Sequence, residues 1–484
     1  LLTDPARQIW NSFNNRANAG GADAPEAAVN GCLYDRFKSL YNKTATKPSL
    51  VIVPARFKSG TLYSQIPSSN ADFTVTRDTE ARRFNSAGLI ESVSSGIPRL
   101  DYYTSGGVTG CPALLVEPAA TNLAFHSEIW ASGNNWTLDA VTRVTGSTSA
   151  FLAPDGSFSA NAISPTSGNV FHGLYSNSPT QYTYISGTIY TQSAFFKAGG
   201  TNLPVSGSAG RYVQLTYTGG GQFTQNGYAN FDLQLGTVAV VSGTSADTNR
   251  TARIENYGNG WYRCSLTATC NAAGNGIGVL PVLVNASGNT RAQSFSGTVT
   301  DTLYGWGAQL ETGSVATSYI PTTAGTGSRS ADVVSVSGAV SGSIGQTAGT
   351  IYCEFEVTNN TANRRVIAIS DGGSTNRILL LTNNNTYFAR IMSTDVTIGA
   401  LSVGYHKVAI GYQKSGVSGS IFVSVDGGAV VSGTANSFPA SLTHCILGSN
   451  ENVGSPNFFI NARIRAAALY TTRLTNAELQ SLTT

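Results

Sequence analysis

A mainly β fold is predicted: two antiparallel β-sandwich (jelly-roll) domains, preceded by a β-strap and a short N-terminal helical region. Three observations predict it. Apolar runs of strand length recur at short intervals, separated by Gly, Ser, Asn and Asp. Charged residues make up only 11% of the 484 residues, against about 25% in an average globular chain, while 53 glycines supply turns. Helical periodicity is confined to the first forty or so residues and the last few. The hydrophobic share of 41% excludes a disordered chain, which needs low hydrophobicity and high charge.

Residues 1–43 read as a helical attachment or oligomerisation region. Asp4-Pro5 is a capping side chain followed by proline in the first turn, and Asp23 to Glu26 repeats the signal. Ile9, Trp10 and Phe13, then Leu33, Phe37 and Leu40, form apolar stripes. Such short helices are marginal alone, so the stripes must pack on each other, on copies of the chain or on a larger body. Residues 44–123 read as a β-strap connector, with strands at 73–77, 88–93, 98–103 and 113–117. Arginines 77, 82, 83 and 99 punctuate it. Guanidinium forks suit the tying of irregular loops, with Asp101 and Glu117 as partners.

Residues 124–330 read as the first sandwich, with strands at 182–185, 189–197, 212–217, 229–232, 237–241, 252–257, 261–269, 277–284 and 301–310. Residues 324–349 read as a Gly/Ser/Thr-rich linker. Residues 345–484 read as the second sandwich, with a hairpin signal at Asp426-Gly427-Gly428 and a closing helix started by Thr475 or Asn476. The six cysteines are scattered with no zinc-type pairing and read as buried free thiols, Cys353 with Cys445 being the alternative staple.

Four motifs occur in fixed order: Thr-Arg-x-Thr at 76–79, Asn-x-x-Gly-Leu-Ile-Glu at 85–91, Pro-Arg-x-Asp-Tyr at 98–102, and Leu-Leu-x-Glu-Pro-x-x-Thr-Asn-Leu at 114–123. Further on stand Asn-Tyr-Gly-Asn-Gly-Trp-Tyr-Arg-Cys at 256–264, Leu-Tyr-Gly-Trp-Gly-Ala-Gln-Leu-Glu at 303–311 and Ser-Tyr-Ile-Pro-Thr-Thr at 318–323. Together they resemble tailed-bacteriophage head fibre, spike or tail fibre proteins, whose strap precedes a sandwich of carbohydrate-binding-module type. The last 140 residues resemble laminin-G/concanavalin-like domains. The resemblance implies a virion-surface protein assembled in a bacterial cytoplasm, a start without a secretory signal fitting that route. It also implies attachment to capsid, portal, tail or another fibre protein, and a homo-oligomer with a trimer favoured.

The chemistry that could be read is sparse. Four histidines fall in no metal-ligand pattern, and neither a GxSxG elbow nor a phosphate loop occurs. Asp155, Glu255 and Glu311 are among many carboxylates and cannot be told apart as a hydrolytic pair. No enzyme, cofactor or metal is expected. A net charge of +3 without a basic run excludes a nucleic-acid face, and the longest apolar runs are too short for membrane insertion. Glycan binding needs less: an aromatic face beside amides and carboxylates. Trp130 and Trp136, in a turn-rich stretch, and Asp371 with Asn376, in a sandwich loop, are the candidate ligand contacts. The expected function is adhesion to host surface polysaccharide, with structural capsid decoration as the alternative and a polysaccharide depolymerase behind it.

Overall fold

In the computed structural model, residues 4–22, 27–66, 71–104, 106–107, 109–177, 182–199, 210–217, 221–223, 227–242, 250–358 and 363–484 are described, the side chains of 27–30 and 339 excepted. The chain is mainly β, with antiparallel sheets and three α-helices among these residues.

Helix α1 (Pro5–Ala19) starts where Asp4 accepts the Ala6 N–H, as the Asp-Pro pair predicts. Helix α2 runs from Ala27 to Asn42; its predicted start signal at 23–26 lies outside the described residues. Helix α3 (Asn476–Thr483) is capped by Thr475 in a reciprocal box with Glu478.

The middle sandwich packs two six-stranded sheets face to face. One runs in the order 136–139, 173–176, 281–284, 212–216, 228–232, 237–242; the other runs 141–144, 161–165, 303–312, 189–198, 261–269, 251–256. All twelve strands come from one continuous stretch. The four before residue 180 are not in the sequence prediction, because their apolar residues are few and broken by polar ones.

The C-terminal sandwich is built differently. Its eight-stranded sheet contains Leu100–Tyr103 and Thr109–Val116, with Leu50–Ile52 pairing alongside on Ala467–Leu469. Its nine-stranded sheet contains Phe57–Lys58, Thr61–Leu62 and Phe73–Thr76. The segment read as a connector therefore supplies strands to both sheets. The segment read as a linker supplies another: Val333–Ser337 pairs with Phe73–Thr76 on one side and His444–Leu447 on the other. Gly327–Arg329 pairs with Ala120–Asn122. Glycine and serine here serve edge pairing and turns rather than a free tether.

The helices pack on this composite. Trp10, Phe13, Leu33, Phe37 and Leu40 are buried in the same core as Leu50–Val53, Phe355 and Ile464. Trp10 lies 5.2 Å from Phe13 and 5.6 Å from Phe37 between ring centroids. Arg36 donates to the Pro112 carbonyl at 2.8 Å, and Cys32 is disulfide-bonded to Cys111. That bond corrects the free-thiol expectation for this pair; Cys264, Cys270, Cys353 and Cys445 are free and buried. The expectation that the helical stripes meet a partner is likewise corrected for these five side chains, because the chain's own core covers them. Ile9 alone of the six lies partly exposed, on a groove with Tyr41, Pro48 and Ile66.

Candidate functional site: a charged aromatic cleft between the sandwiches

The strap motifs converge on a buried charge node. Arg99 pairs with Glu117 at 2.5 Å and with Asp332; Arg77 meets Asp332 at 2.9 Å, and Arg329 meets Glu117 at 3.3 Å. All five side chains are essentially excluded from solvent. Ser318 gives Glu117 two further hydrogen bonds of 2.6 Å, from backbone and hydroxyl. Burial alone would raise the Glu117 carboxyl, but Arg329, Arg99 and the Ser318 donors hold it well below the ordinary range. Asn122 closes the junction by donating to the Ala308 and Ile320 carbonyls and accepting from Leu310 and Ala124. The arginines are structural ties, as their polar context predicts, and Glu117 is the partner expected for them. Asp101 turns instead to Arg463.

Above this node a narrow cleft opens between strap, middle sandwich and C-terminal sandwich. Tyr257 is its hub, with ring centroids 4.9 Å from Phe195, 5.0 Å from Tyr103 and 5.7 Å from Phe84. Burial, with Glu255 nearby, pushes the Tyr257 hydroxyl up to about 12, so it remains a neutral hydrogen-bonding group. Arg463 donates to Asp101 and Glu356, each at 2.8 Å, and Arg253 pairs with Glu255 at 2.9 Å. Burial would lower Arg463, but Asp101 and Glu356 raise it well above its usual value. Asn461, Thr358 and Ser318 add uncharged hydrogen-bonding groups to the wall.

Two glycines let strap and middle sandwich approach closely. Gly107 (φ +67°) on the strap and Gly258 (φ +80°) on the middle sandwich approach backbone to backbone. A Cβ on Gly258 would stand 2.6 Å from the Gly107 carbonyl oxygen, and one on Gly107 would stand 2.5 Å from the Gly258 nitrogen. The Asn-Tyr-Gly-Asn-Gly-Trp motif is thus the contact point between strap and sandwich, and it carries Tyr257.

The ligand contacts read from sequence lie elsewhere. Trp130 and Trp136 are buried in the middle core, stacked at 5.0 Å. Trp130 donates to the Ser127 carbonyl at 2.8 Å and Trp136 to the Phe125 carbonyl at 3.2 Å. Neither presents a ring face to a sugar, which corrects that assignment: an indole whose N–H finds a carbonyl is cheap to bury. Asp371 and Asn376 do come together, at 2.8 Å, but as the two ends of one turn. Of the three carboxylates, Glu255 lines the cleft, Asp155 caps its own turn at Ser157, and Glu311 is buried against Thr317 and Gln309. Glu255, Tyr257 and Arg463 were missed as a group because 206 residues separate Tyr257 from Arg463; the only signal was the glycine-flanked tyrosine of the 256–264 motif.

One further cluster has the residue types of a nucleophilic triad. His406 Nδ1 meets Asp426 at 2.5 Å and Nε2 meets the Ser402 hydroxyl at 3.1 Å. Nε2 also meets the Ser402 carbonyl at 2.9 Å. The Ser402 carbonyl lies nearer Nε2 than the hydroxyl does, so the ring nitrogen is shared with a backbone acceptor of the same residue rather than aimed at the hydroxyl alone. The cluster ties the turn before strand Gly404–Ser415 to the hairpin at Asp426. Among the described residues, no group of three or more His, Cys, Asp or Glu could hold a metal ion, and no helix is long and apolar enough to cross a membrane.

No family model matches the chain, and no curated protein matches it. Among solved structures it is similar to the CBM40 of Ruminococcus gnavus IT-sialidase bound to alpha2,6 sialyllactose, at 16% identity and a TM-score of 0.25, over 29% of this chain and 84% of that one. It is similar to NanB sialidase from Streptococcus pneumoniae at 12% identity and a TM-score of 0.25, over 30% of this chain and 26% of that one. The binding domain of botulinum neurotoxin DC follows at 11% identity and a TM-score of 0.24, over 31% and 39% of the two chains. These likenesses are too slight to carry a ligand over to this chain.

Proposed function

We propose that the chain is a glycan-binding adhesin of a bacteriophage particle, a fibre or spike that meets host surface polysaccharide at the cleft between its sandwiches. The cleft carries this reading. Tyr257, partly exposed and backed by the buried rings of Phe84, Tyr103 and Phe195, offers an apolar surface, and Arg253, Glu255 and Asn461 line the same cleft as hydrogen-bonding groups. Sugar rings need that combination of apolar face and oriented polar partners. The virion role rests on the order of the strap motifs between residues 76 and 123. Identical copies in a homo-oligomer would raise the avidity of a weak site. No reaction is assigned to the cleft, whose carboxylates Asp101, Glu255 and Glu356 are each held by an arginine.

The test is an array of bacterial surface polysaccharides probed with the intact chain. Saturable binding, weakened about tenfold by Arg253→Ala at unchanged melting temperature, is expected. Release of oligosaccharide would replace adhesion by depolymerisation, and no binding to any host polysaccharide would leave capsid decoration.

A further inference from the structure

The cleft does not end at Arg463. Glu354 and Glu356 lie two apart on strand Ala348–Val357, while Phe355 between them points into the core. Across the sheet Glu354 faces Lys407 and Glu356 faces Tyr405. On the neighbouring strand Arg463 and Arg465 flank the buried Ile464. These six side chains therefore share the outer face of the eight-stranded sheet, in two rows about 7 Å apart. Arg465 bonds Glu354 at 3.2 Å, and its guanidinium lies 3.3 Å from the Tyr405 ring centroid. Beyond the second row is another cavity, between that face and α2, lined by Glu354, Lys407 and Arg36 among others. One continuous polar and aromatic track thus joins the two cavities.

The ion pairs along the track are layered. The side chain of Arg253 is 33% exposed against 14% for Glu255, Arg465 29% against 12% for Glu354, and Arg463 12% against 3% for Asp101. In these three pairs the carboxylate lies deeper and the guanidinium faces outward, while Arg463 and Glu356 are level at 12% and 11%. Arg253, Arg463 and Arg465 stand over four carboxylates, Glu255, Asp101, Glu356 and Glu354, so the excess positive charge comes from Lys407, Arg36 and Lys43 at the cavity under α2. Guanidinium forks match carboxylates and sulfates, and neutral hydroxyls use them less fully.

Resting on the adhesin reading above, we infer that the ligand is an acidic polysaccharide, bearing carboxylate or sulfate groups, lying along this face from the inter-sandwich cleft to the cavity under α2. The probes are alginate, hyaluronan and polygalacturonate, each beside its carboxyl-reduced counterpart, with the intact chain immobilised. Binding to at least one acidic polymer is expected, at least tenfold weaker after carboxyl reduction and weaker at high salt. Arg465→Gln and, separately, the half-exposed Lys407→Gln each lower that affinity several-fold without shifting the melting temperature. Equal binding of a polymer and its reduced form overturns the inference and leaves glycan adhesion standing. So does binding confined to neutral polysaccharides on the array. Absence of any glycan binding removes both.

Discussion

The two sandwiches close their sheets in opposite ways. The middle one takes all twelve strands from residues 136–312, in order along one stretch of chain. The C-terminal one is incomplete without strands between residues 50 and 116, which precede it by more than two hundred residues. The middle sandwich is thus an insertion between two halves of a larger body. The node of Arg77, Arg99, Glu117, Arg329 and Asp332 sits where the chain leaves that body and returns to it. The difference shows that apparent domain order along a sequence need not be the order of assembly, and that the cleft between the sandwiches exists only when both halves meet.

Excision should break the symmetry most. A fragment spanning 118–330 is expected to unfold cooperatively on heating. A fragment spanning 345–484, missing the strands at one end of each of its sheets, is expected to show no cooperative transition by calorimetry. A folded 345–484 fragment would show that the strap strands are accessory. The same reasoning makes deletion of residues 1–43 a poor probe of particle attachment, since it opens the core around Trp10 and Phe37.

Glu117→Gln tests the node. Breaking a buried ion pair costs about 3–5 kcal/mol, and the loss should fall on the C-terminal body's transition. The pH dependence follows in sign. A carboxyl held below its unfolded value contributes stability that is fully present above that unfolded value. The contribution is lost as pH falls through the lower folded one. Glu311, raised mainly by burial, acts oppositely in the middle sandwich: its contribution is full below the ordinary carboxylate value and lost as pH rises through its folded one. Acid should therefore lower the C-terminal transition more than the middle one, and Glu117→Gln should flatten that difference. Two calorimetric transitions moving together with pH would sink it.

Reduction of Cys32–Cys111 is the mildest of these breaks. The bond spans 79 residues and joins α2 to the strand Thr109–Val116. Losing it should cost about 2–4 kcal/mol, confined again to the C-terminal body. Measured by thermal melts with and without reductant, an equal shift in the middle sandwich would contradict the division.

Much of the fold was legible where structure is local. The strand at 261–269 has the bounds the sequence predicts, and those at 189–198 and 212–216 differ from the prediction by one residue. The Asp4 and Thr475 caps and the Asp426-Gly427 turn also stand where side-chain and backbone chemistry place them. Strand Ala81–Phe84 was not legible: its two central arginines hide a strand held by pairing with Ile90–Val93. Trp130 and Trp136 were misplaced because a turn-rich neighbourhood says nothing of what the ring meets. The ring of Trp130 fills space that Gly305, 175 residues later, leaves open.

By itself the sequence determined the β class, the helix caps and the motif arginines with their carboxylate needs. These depend on side-chain type and on periods of two or 3.6 residues. Only the tertiary structure decided that Leu114–Val116 pairs with Ala462–Ile464, that Cys32 reaches Cys111, and that Tyr257 and Arg463 share a cleft. The reason is physical: backbone hydrogen bonds are alike at every position, so a strand carries little mark of a distant partner. The partner is chosen by the burial of whole sheets against one another.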